Sequence, residues 1–563
     1  MRFPPTSPRA LLSAWVLVLS VLSGCDKEPG PAPDAGPVPT EDSGTDAGPS
    51  DSGTDAGTDA GPLPDWDGTY TELQEKGDWL DRGRHAPCTF DSQGTPASVS
   101  CEDLARFDVS QCDPDALANV GPFGVYQAEL RAETRLSDGG TRVSGLSAGF
   151  KLEADGGGTI NSSPFRVRST DGGTFFLSSE RTFQNITTLT ALMGCKVPSP
   201  GIITGCYARC RDGRFTQTGT FEAHRMTWPA SEGESSGGMR LVSEAPVPLG
   251  EAVDIYVAKE HAYVVSLPKF GRLGGLTVFD VKDRANPVLK TTISLPGDNS
   301  WNGVWAKGDA LYVASAATGV VLFDITQPAS PQFVRSLPGG SDFGAHTVLV
   351  DADRLYAMSG GDMLLVFDVS QPLSPVLRQR ISPPPDGITG AHDAFAYGGR
   401  LYVSNSYDGY WVLDVTDLDN VRTLGTYVHG GYAHHSAVGT FAGHTLAFEG
   451  AEFTASHVRV LDVTHPERIV KIGEFRMRPV TSVHNMLLVG KRLYVAWYME
   501  GVRVLDVSNP TRPRQVAHFH TFQEDHPDAT DIIFQGTYGI RVPGDGYVYT
   551  ANVPRGLVIL NEP

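Results

Sequence analysis

The sequence predicts an all-β protein, in which a seven-bladed β-propeller is closed by an N-terminal strand and preceded by a small disulfide-linked β-rich domain. Three observations support this fold class. A strand motif recurs at a regular interval through the second half of the chain, and short apolar runs alternate with turn residues between its copies. Six of the seven cysteines lie ahead of the repeats, in one segment.

The repeat is clearest between Gly501 and Pro513, where an apolar run ends in an aspartate and a Pro-containing turn follows. A self-similar period of about 40–50 residues is typical of propellers and solenoids. The aspartate recurs as Asp280, Asp324, Asp368, Asp414, Asp462 and Asp506, and Asn561 takes its place in the last copy.

Each repeat is composed of strands. The second unit shows the pattern, with apolar runs at Leu311–Ala314, Val320–Asp324 and Pro331–Leu337 that are separated by Gly- or Pro-containing turns. Four short antiparallel strands per period, with no helical stretch between them, describe a propeller blade. Because each aspartate precedes Ser, Thr or a turn, we expect it to cap its own backbone.

The two ends of the array predict how the ring closes. The last unit stops at Pro563, directly after its third strand Leu557–Leu560, and therefore lacks a fourth strand. The segment Met239–Leu249 resembles the fourth strands of the other units and lies just before the first one. Pairing between these ends would remove open strand edges and give seven blades, over residues 239–563.

The pattern Gly-x-x-Val-hydrophobic-Asp-Val-Ser-x-Pro is similar to that of the LVIVD-repeat β-propeller family of bacterial surface lipoproteins. The resemblance covers residues 239–563. It implies a propeller and a surface location, but it implies no single activity. Three units depart from the pattern, with Met363 and His457 in place of the turn glycine and Asn561 in place of the aspartate.

The first residues have the form of an export signal. Arg2 and Arg9 flank the start, and the apolar run Leu11–Leu22 is short for a membrane span. The following Leu-Ser-Gly-Cys resembles a bacterial lipobox, which implies that residues 1–24 are a lipoprotein signal peptide and that Cys25 carries a lipid anchor. The alternative is an ordinary signal peptide. We expect a cell-envelope protein, at the outer membrane or cell surface, whose membrane contact is this lipid.

Residues 25–64 predict a disordered tether. They are rich in Asp, Gly, Thr, Pro, Ser and Ala, with repeated Thr-Asp-Ala-Gly units, and such a composition cannot form a core. The whole chain has a formal net charge of −20. This acidic balance argues against nucleic acid as a partner.

Residues 65–238 form a separate Cys-rich β-domain. Alternating segments joined by Asp-Gly-Gly turns predict hairpins, and hence a small barrel or sandwich. An even number of cysteines in an exported protein indicates disulfides, although sequence cannot rank the connectivities. A metal site at the Cys206-x-x-x-Cys210 pair is the alternative. The cysteines are Cys88, Cys101, Cys112, Cys195, Cys206 and Cys210.

Histidines recur at one position of four consecutive blades. His346, His392 and His484 each precede the leucine of their second strand by nine residues, and the pair His434–His435 occupies the corresponding stretch of blade 5. This position enters the innermost strand, beside the central channel. We therefore expect these rings to converge and to bind a divalent transition metal (Zn, Cu, Fe or Ni). The alternative is that each ring hydrogen-bonds only to nearby backbone.

Two further features could complete such a site. Asp254 occupies the histidine position in blade 1, and an insertion before blade 7 carries acidic residues and His526 between Glu524 and Asp531. We predict that this insertion emerges on the face of the histidines. No catalytic residue is assigned.

The leading functional interpretation is a surface-anchored binding platform, whose propeller face takes a protein or small-ligand partner. The rival interpretation is an exported metal-dependent enzyme, a hydrolase or an oxidoreductase, with its site at the channel mouth. The channel histidines distinguish the two, because only the enzyme needs a metal with an open coordination position.

Overall fold

The computed structural model describes residues 65–136, 139–229, 231–269, 271–340, 343–359, 364–382 and 390–563. Residues 64–563 form one compact unit. The predicted signal peptide, Cys25 and the tether lie outside the described residues. Within the described ranges, no helix is long and apolar enough to span a membrane.

The first described segment, residues 65–118, contains little regular structure. It holds strands β1 (Thr89–Phe90) and β2 (Phe107–Asp108), a 3₁₀ turn (Leu104–Arg106) and helix α1 (Pro114–Leu117), whose N-terminus is capped by Asp113. Disulfides fasten this segment to the barrel that follows. They join Cys88 to Cys206, Cys101 to Cys210 and Cys112 to Cys195.

The predicted disulfide-linked β-domain is confirmed as a closed eight-stranded antiparallel barrel. Alternate residues point inward, so that Leu130, Phe150, Tyr207 and Phe221 fill the interior. Cys206 and Cys210 are both in disulfides, which leaves no thiol pair for the alternative metal site. The strands are β3 (Gly124–Arg135), β4 (Thr141–Leu152), β5 (Gly158–Ile160), β6 (Ser163–Ser169), β7 (Phe176–Phe183), β8 (Ile186–Ser199), β9 (Ile202–Arg211) and β10 (Arg214–Arg225).

Two strands precede the first blade, and both pair with the end of the propeller. β11 (Ser235–Ser236) adds a fifth strand to blade 6, and β12 (Leu241–Ala245) pairs with the last strand of the chain. The predicted closure of the ring by the segment Met239–Leu249 is therefore confirmed.

The seven-bladed propeller is also confirmed, with four antiparallel strands in each blade. The strands of blades 1 to 3 are β13 (Glu251–Ala258), β14 (His261–Leu267), β15 (Gly275–Asp280), β16 (Val288–Ile293), β17 (Trp301–Lys307), β18 (Ala310–Ser315), β19 (Gly319–Asp324), β20 (Gln332–Pro338), β21 (Thr347–Asp351), β22 (Arg354–Met358), β23 (Leu364–Asp368) and β24 (Val376–Ile381). Those of blades 4 and 5 are β25 (Asp393–Tyr397), β26 (Arg400–Ser404), β27 (Tyr410–Asp414), β28 (Arg422–Tyr427), β29 (Tyr432–Phe441), β30 (His444–Glu452), β31 (Val458–Asp462) and β32 (Val470–Phe475), with 3₁₀ turns at Leu418–Asn420 and Pro466–Arg468. Those of blades 6 and 7 are β33 (Met486–Val489), β34 (Arg492–Trp497), β35 (Gly501–Asp506), β36 (Arg514–Phe519), β37 (Gly536–Arg541), β38 (Tyr547–Val553) and β39 (Gly556–Asn561).

The repeated aspartates cap their own turns, as predicted. Oδ1 of Asp324 accepts a hydrogen bond from the Thr326 amide at 2.7 Å, and Asp368 and Asp506 do the same two residues onward at 2.9 Å. These carboxylates are thereby used in ending the third strand of each blade.

The barrel docks on the propeller face where the innermost strands begin. The insertion before blade 7 makes this contact, because Glu524 pairs with Arg225 at 2.6 Å and Asp531 accepts from the Ser162 amide at 2.8 Å. Gly149 of the barrel faces the carbonyl of Asp531, with no room for a Cβ atom. The insertion thus joins the two domains at the face that carries the histidines.

Candidate metal centre

The fold gives the predicted histidines equal heights in the channel. The amides of His346, His392 and His484 donate to the carbonyl at the end of their own second strand, namely Met358, Ser404 and Ala496, at 2.7–2.9 Å. Each histidine therefore enters its blade at the same point. Because these positions are equivalent in neighbouring blades, residues that are far apart in sequence lie at the same height along the propeller axis.

The rings form a continuous arc across blades 3 to 6. Ring centroids are 4.2 Å apart for His346 and His392, 4.2 Å for His392 and His434, and 4.4 Å for His434 and His484. Tyr538 of blade 7 continues the arc at 4.9 Å from His484. The structure thus selects His434 rather than His435 as the blade 5 member.

Within this arc, one set of three residues has ligand atoms close enough to share an ion. One ligand atom each of His392, His434 and Glu452 lies within 4.8 Å of the other two. Nε2 of His434 is 3.8 Å from Oε2 of Glu452, whose carboxylate also accepts a hydrogen bond from the Tyr498 hydroxyl. Two imidazoles and a carboxylate form a donor set that suits zinc and other first-row divalent ions.

Glu452 was missed by sequence reasoning. It is the last residue of β30, and only the cross-strand register with Tyr432 brings it to the start of the innermost strand. The sequence did carry a signal for this residue. The residues at the strand position of Glu452 in blades 2, 4 and 6 are Ala316, Ser406 and Tyr498, and none of them is acidic. Blade 5 is the one of these four with an acid at that position.

Burial keeps the histidines neutral. It lowers the pKa of His346 to about 4 and that of His484 to about 3. Burial, helped by the neighbouring imidazoles, places the pKa values of His392 and His434 well below the ordinary value. Burial raises the pKa of Glu452 to about 7 against the opposing hydrogen bond from Tyr498. Neutral imidazole is the form that binds metal ions.

Backbone carbonyls orient two of the rings. Nδ1 of His392 lies 3.3 Å from the His434 carbonyl, and Nδ1 of His484 lies 3.0 Å from the Tyr538 carbonyl. A carbonyl oxygen can only accept, so Nδ1 carries the proton in both rings and Nε2 keeps its lone pair. Metal-binding histidines are commonly held in this way.

Three of the predicted residues, His435, Asp254 and His526, lie outside both the arc of rings and the close set. Nε2 of His435 is 3.7 Å from Oδ2 of Asp393, and both residues line the channel. Asp254 is 3.4 Å from Arg541 and accepts from the Val304 amide at 3.0 Å. His526 accepts from the Asp528 amide at 3.1 Å, within the insertion that docks on the barrel.

Aromatic rings cover the arc on the barrel side. Tyr432 packs on His392 at 5.4 Å, and Tyr498 packs on His484 at 4.9 Å. Phe453 and Phe534, 5.7 Å apart, bridge these two tyrosines. Phe534 belongs to the insertion, which confirms that the insertion emerges on the histidine face.

On the other side of the histidines, the channel holds a cavity of about 60 Å³. His392, His434 and His484 line one part of it, and Asp254 and Arg541 line another. His392 and His434 of the close set therefore border open space along the channel, whereas Glu452 does not line the cavity.

Two other clusters among the described residues carry metal-ligating side chains. Cys88, Cys112 and Cys195 are committed to disulfides. Glu232, His518 and His520 surround Arg503, whose guanidinium lies 2.8 Å from Nε2 of His520 and also pairs with Glu232. A buried guanidinium among the ligands opposes a metal cation, so this second cluster is a structural charge network.

The LVIVD repeat model matches residues 300–337 and 482–521, which span blades 2 and 6. Two of the seven blades therefore carry an LVIVD repeat. No curated protein matches the sequence. Among solved structures, the chain is similar to the WD40 β-propeller domain of Doa1, at 12% identity and a TM-score of 0.44, over 58% of this chain and 97% of that one. It is also similar to U3-55K, at 9% identity and a TM-score of 0.44, over 57% and 98%.

Proposed function

We propose that the protein binds a divalent transition metal in its propeller channel, through His392, His434 and Glu452. One observation carries the proposal: these three side chains come from two neighbouring blades and bring their ligand atoms within 4.8 Å of one another. His346 and His484 flank the set and are candidate additional ligands. Zn, Cu, Fe and Ni all accept this donor set.

The test is metal analysis of the full-length protein, purified without a His tag. We expect about one equivalent of metal in the wild type, and strong loss in His392→Ala and in Glu452→Gln. His526→Ala is the matched control, because it removes a histidine of the docking insertion and leaves the close set intact. Full metal content in both channel variants would refute the site.

We propose that the metal-bearing propeller is held in the cell envelope by a lipid on Cys25. The sequence of the signal segment supports this location. Cys25→Ala should leave the protein in the soluble fraction after cell breakage, whereas the wild type should need detergent. Retention of the variant in salt-washed membranes would contradict lipid anchoring.

We further propose that the propeller is an interaction platform whose partner binds the face opposite the barrel. Tyr397 and Val489 end innermost strands on that face and are 37% and 39% exposed. A photo-crosslinking amino acid at Tyr397 should capture a discrete partner in intact cells. The same label at Phe333, on the outer rim, is the control. Equal capture at both positions would argue against a specific face.

A metal-dependent enzyme is the second candidate, and the cavity beside the close set favours it. A metal that borders open space can take up water or polarise a substrate. Turnover in a hydrolase or oxidoreductase substrate screen should then follow metal content and disappear in Glu452→Gln. Turnover that is equal in both proteins would exclude this site as its source.

A further inference from the structure

Two residues that line the channel cavity each have a buried polar atom that lacks a hydrogen-bond partner. Nε of Arg541 is a donor and Oδ1 of Asp254 is an acceptor. Both residues line the cavity that also borders His392 and His434. Because unpaired buried polar atoms are costly, a donor and an acceptor on two residues that line one cavity favour a polar ligand beside them.

Arg541 is held rigidly at this place. Its guanidinium lies over the rings of Tyr256 and Trp305, with the central carbon 5.5 and 5.3 Å from their centroids. One terminal nitrogen is 3.4 Å from Oδ2 of Asp254, and the other donates to the Ile540 carbonyl at 2.8 Å. The planar guanidinium group is suited to planar oxyanions, and this packing fixes its orientation.

The cavity also limits the size of the ligand. Its volume of about 60 Å³ leaves room for only a few water molecules. A ligand of about three or four heavy atoms fits, and a sugar, peptide or nucleotide does not. The aromatic rings close the barrel side, so that such a ligand would reach the histidines along the channel.

We propose that the cavity binds a small planar oxyanion, of the hydrogencarbonate or short carboxylate class, between Arg541 and a metal held by His392, His434 and Glu452. One oxygen accepts from Arg541, and another completes the coordination of the metal. In hydrogencarbonate, the hydroxyl donates to Asp254. This inference rests on the proposed metal site and names the ligand that shares it.

The test uses full-length protein loaded with Co²⁺, whose visible bands respond to a change of ligand. Titration with hydrogencarbonate, and separately with acetate, should shift these bands saturably. Arg541→Gln should take up Co²⁺ as the wild type does and bind the anions about tenfold more weakly, because one charge-assisted hydrogen bond is lost.

Arg284→Gln is the matched control. Arg284 also packs over a tyrosine ring, at 5.7 Å from Tyr547, and pairs with an aspartate, Asp545, at 2.8 Å, but it does not line the cavity. Its anion affinity should equal that of the wild type. If Arg541→Gln does not fold, Arg541→Lys keeps the charge and loses the planar group, and it should also weaken anion binding.

The outcomes separate the two proposals. Absence of Co²⁺ uptake by the wild type refutes the metal site and this inference with it. Bound Co²⁺ with bands that neither anion changes refutes the inference and leaves the metal site standing. Anion binding of equal strength in wild type and Arg541→Gln also refutes it, because Arg541 then has no part in recognition.

Discussion

The outer rims of the propeller differ between blades 5 and 6 and blades 1 to 3. In blades 1 to 3 the fourth strands expose apolar side chains, among them Val288, Phe333 and Val376, which are 53%, 50% and 59% exposed. In blades 5 and 6 the rim is covered by chain from upstream, because β11 adds a fifth strand to blade 6 and residues 65–78 cross blade 5.

Buried arginines at one repeat position account for part of this difference. Arg459 and Arg503 occupy the position that Val321 occupies in blade 2, and all three are fully buried. Arg459 pairs with Asp78 at 2.8 Å, and Arg503 pairs with Glu232. The apolar positions of the repeat thus form the blade, while single charged replacements determine where other parts of the chain attach.

The largest effect is expected from Arg503→Met. The change leaves Glu232 without its arginine partner and Glu500 with Arg478 alone, and removal of one partner of a buried pair typically costs about 3–5 kcal/mol. The free energy of unfolding, measured by urea denaturation, should fall by about this amount. Arg422→Met is the control, since its pair with Asp414 is exposed and worth at most about 1 kcal/mol. An equal loss of unfolding free energy in Arg503→Met and Arg422→Met would show that the buried arginine contributes no more to stability than an exposed one.

Gly149→Ala should weaken the docking of the barrel on the propeller. The new methyl group would collide with the Asp531 carbonyl, and such overpacking costs about 1–3 kcal/mol. Limited proteolysis should then cleave the insertion between Glu524 and Asp531 faster than in the wild type. Gly121→Ala is the control, because its Cβ would meet only the Phe123 carbonyl, at 3.8 Å. An unchanged cleavage rate in Gly149→Ala would show that the interface between barrel and propeller accommodates the methyl group without loss of stability.

Acid should weaken the attachment of residues 65–78 to the rim of blade 5. Burial raises the pKa of Glu75, but Arg459 and the hydrogen bonds to it and to Tyr427 outweigh burial and lower the pKa to about 2. A carboxylate with a lowered folded pKa contributes stability that is present above its ordinary pKa of 4.5 and is lost as pH falls towards 2. The urea midpoint should therefore decline below about pH 4.5, and less steeply in Glu75→Gln. If the urea midpoint depends on pH in the same way in the wild type and in Glu75→Gln, groups other than Glu75 cause the acid sensitivity.

The smallest effect is expected on the bare rim. Phe333→Ser alters a half-exposed side chain, and surface substitutions of this kind usually change stability by less than about 0.5 kcal/mol. The urea midpoint should match the wild type. A loss of stability as large as that of Arg503→Met would contradict the view that the outer strand of blade 2 is uncovered.

Prediction from sequence succeeded where the repeat itself carries the information. Counting nine residues back from the second-strand leucine located His346, His392 and His484, because identical blades give identical points of entry. The same counting could not choose between His434 and His435. The bulge in β29 decides, since it shifts the register between Ala433 and His435.

The sequence by itself determined the number of blades, the closing strand and the turn aspartates, because these depend on local periodicity and on the lengths between copies. Tertiary structure alone decided the disulfide pairs, the attachment of Glu232 and Asp78 to buried arginines, and the presence of Glu452 beside His392 and His434. Such contacts depend on the closure of the barrel and the ring and on strand register. These bring together residues whose separation in sequence has no fixed relation to their distance in space.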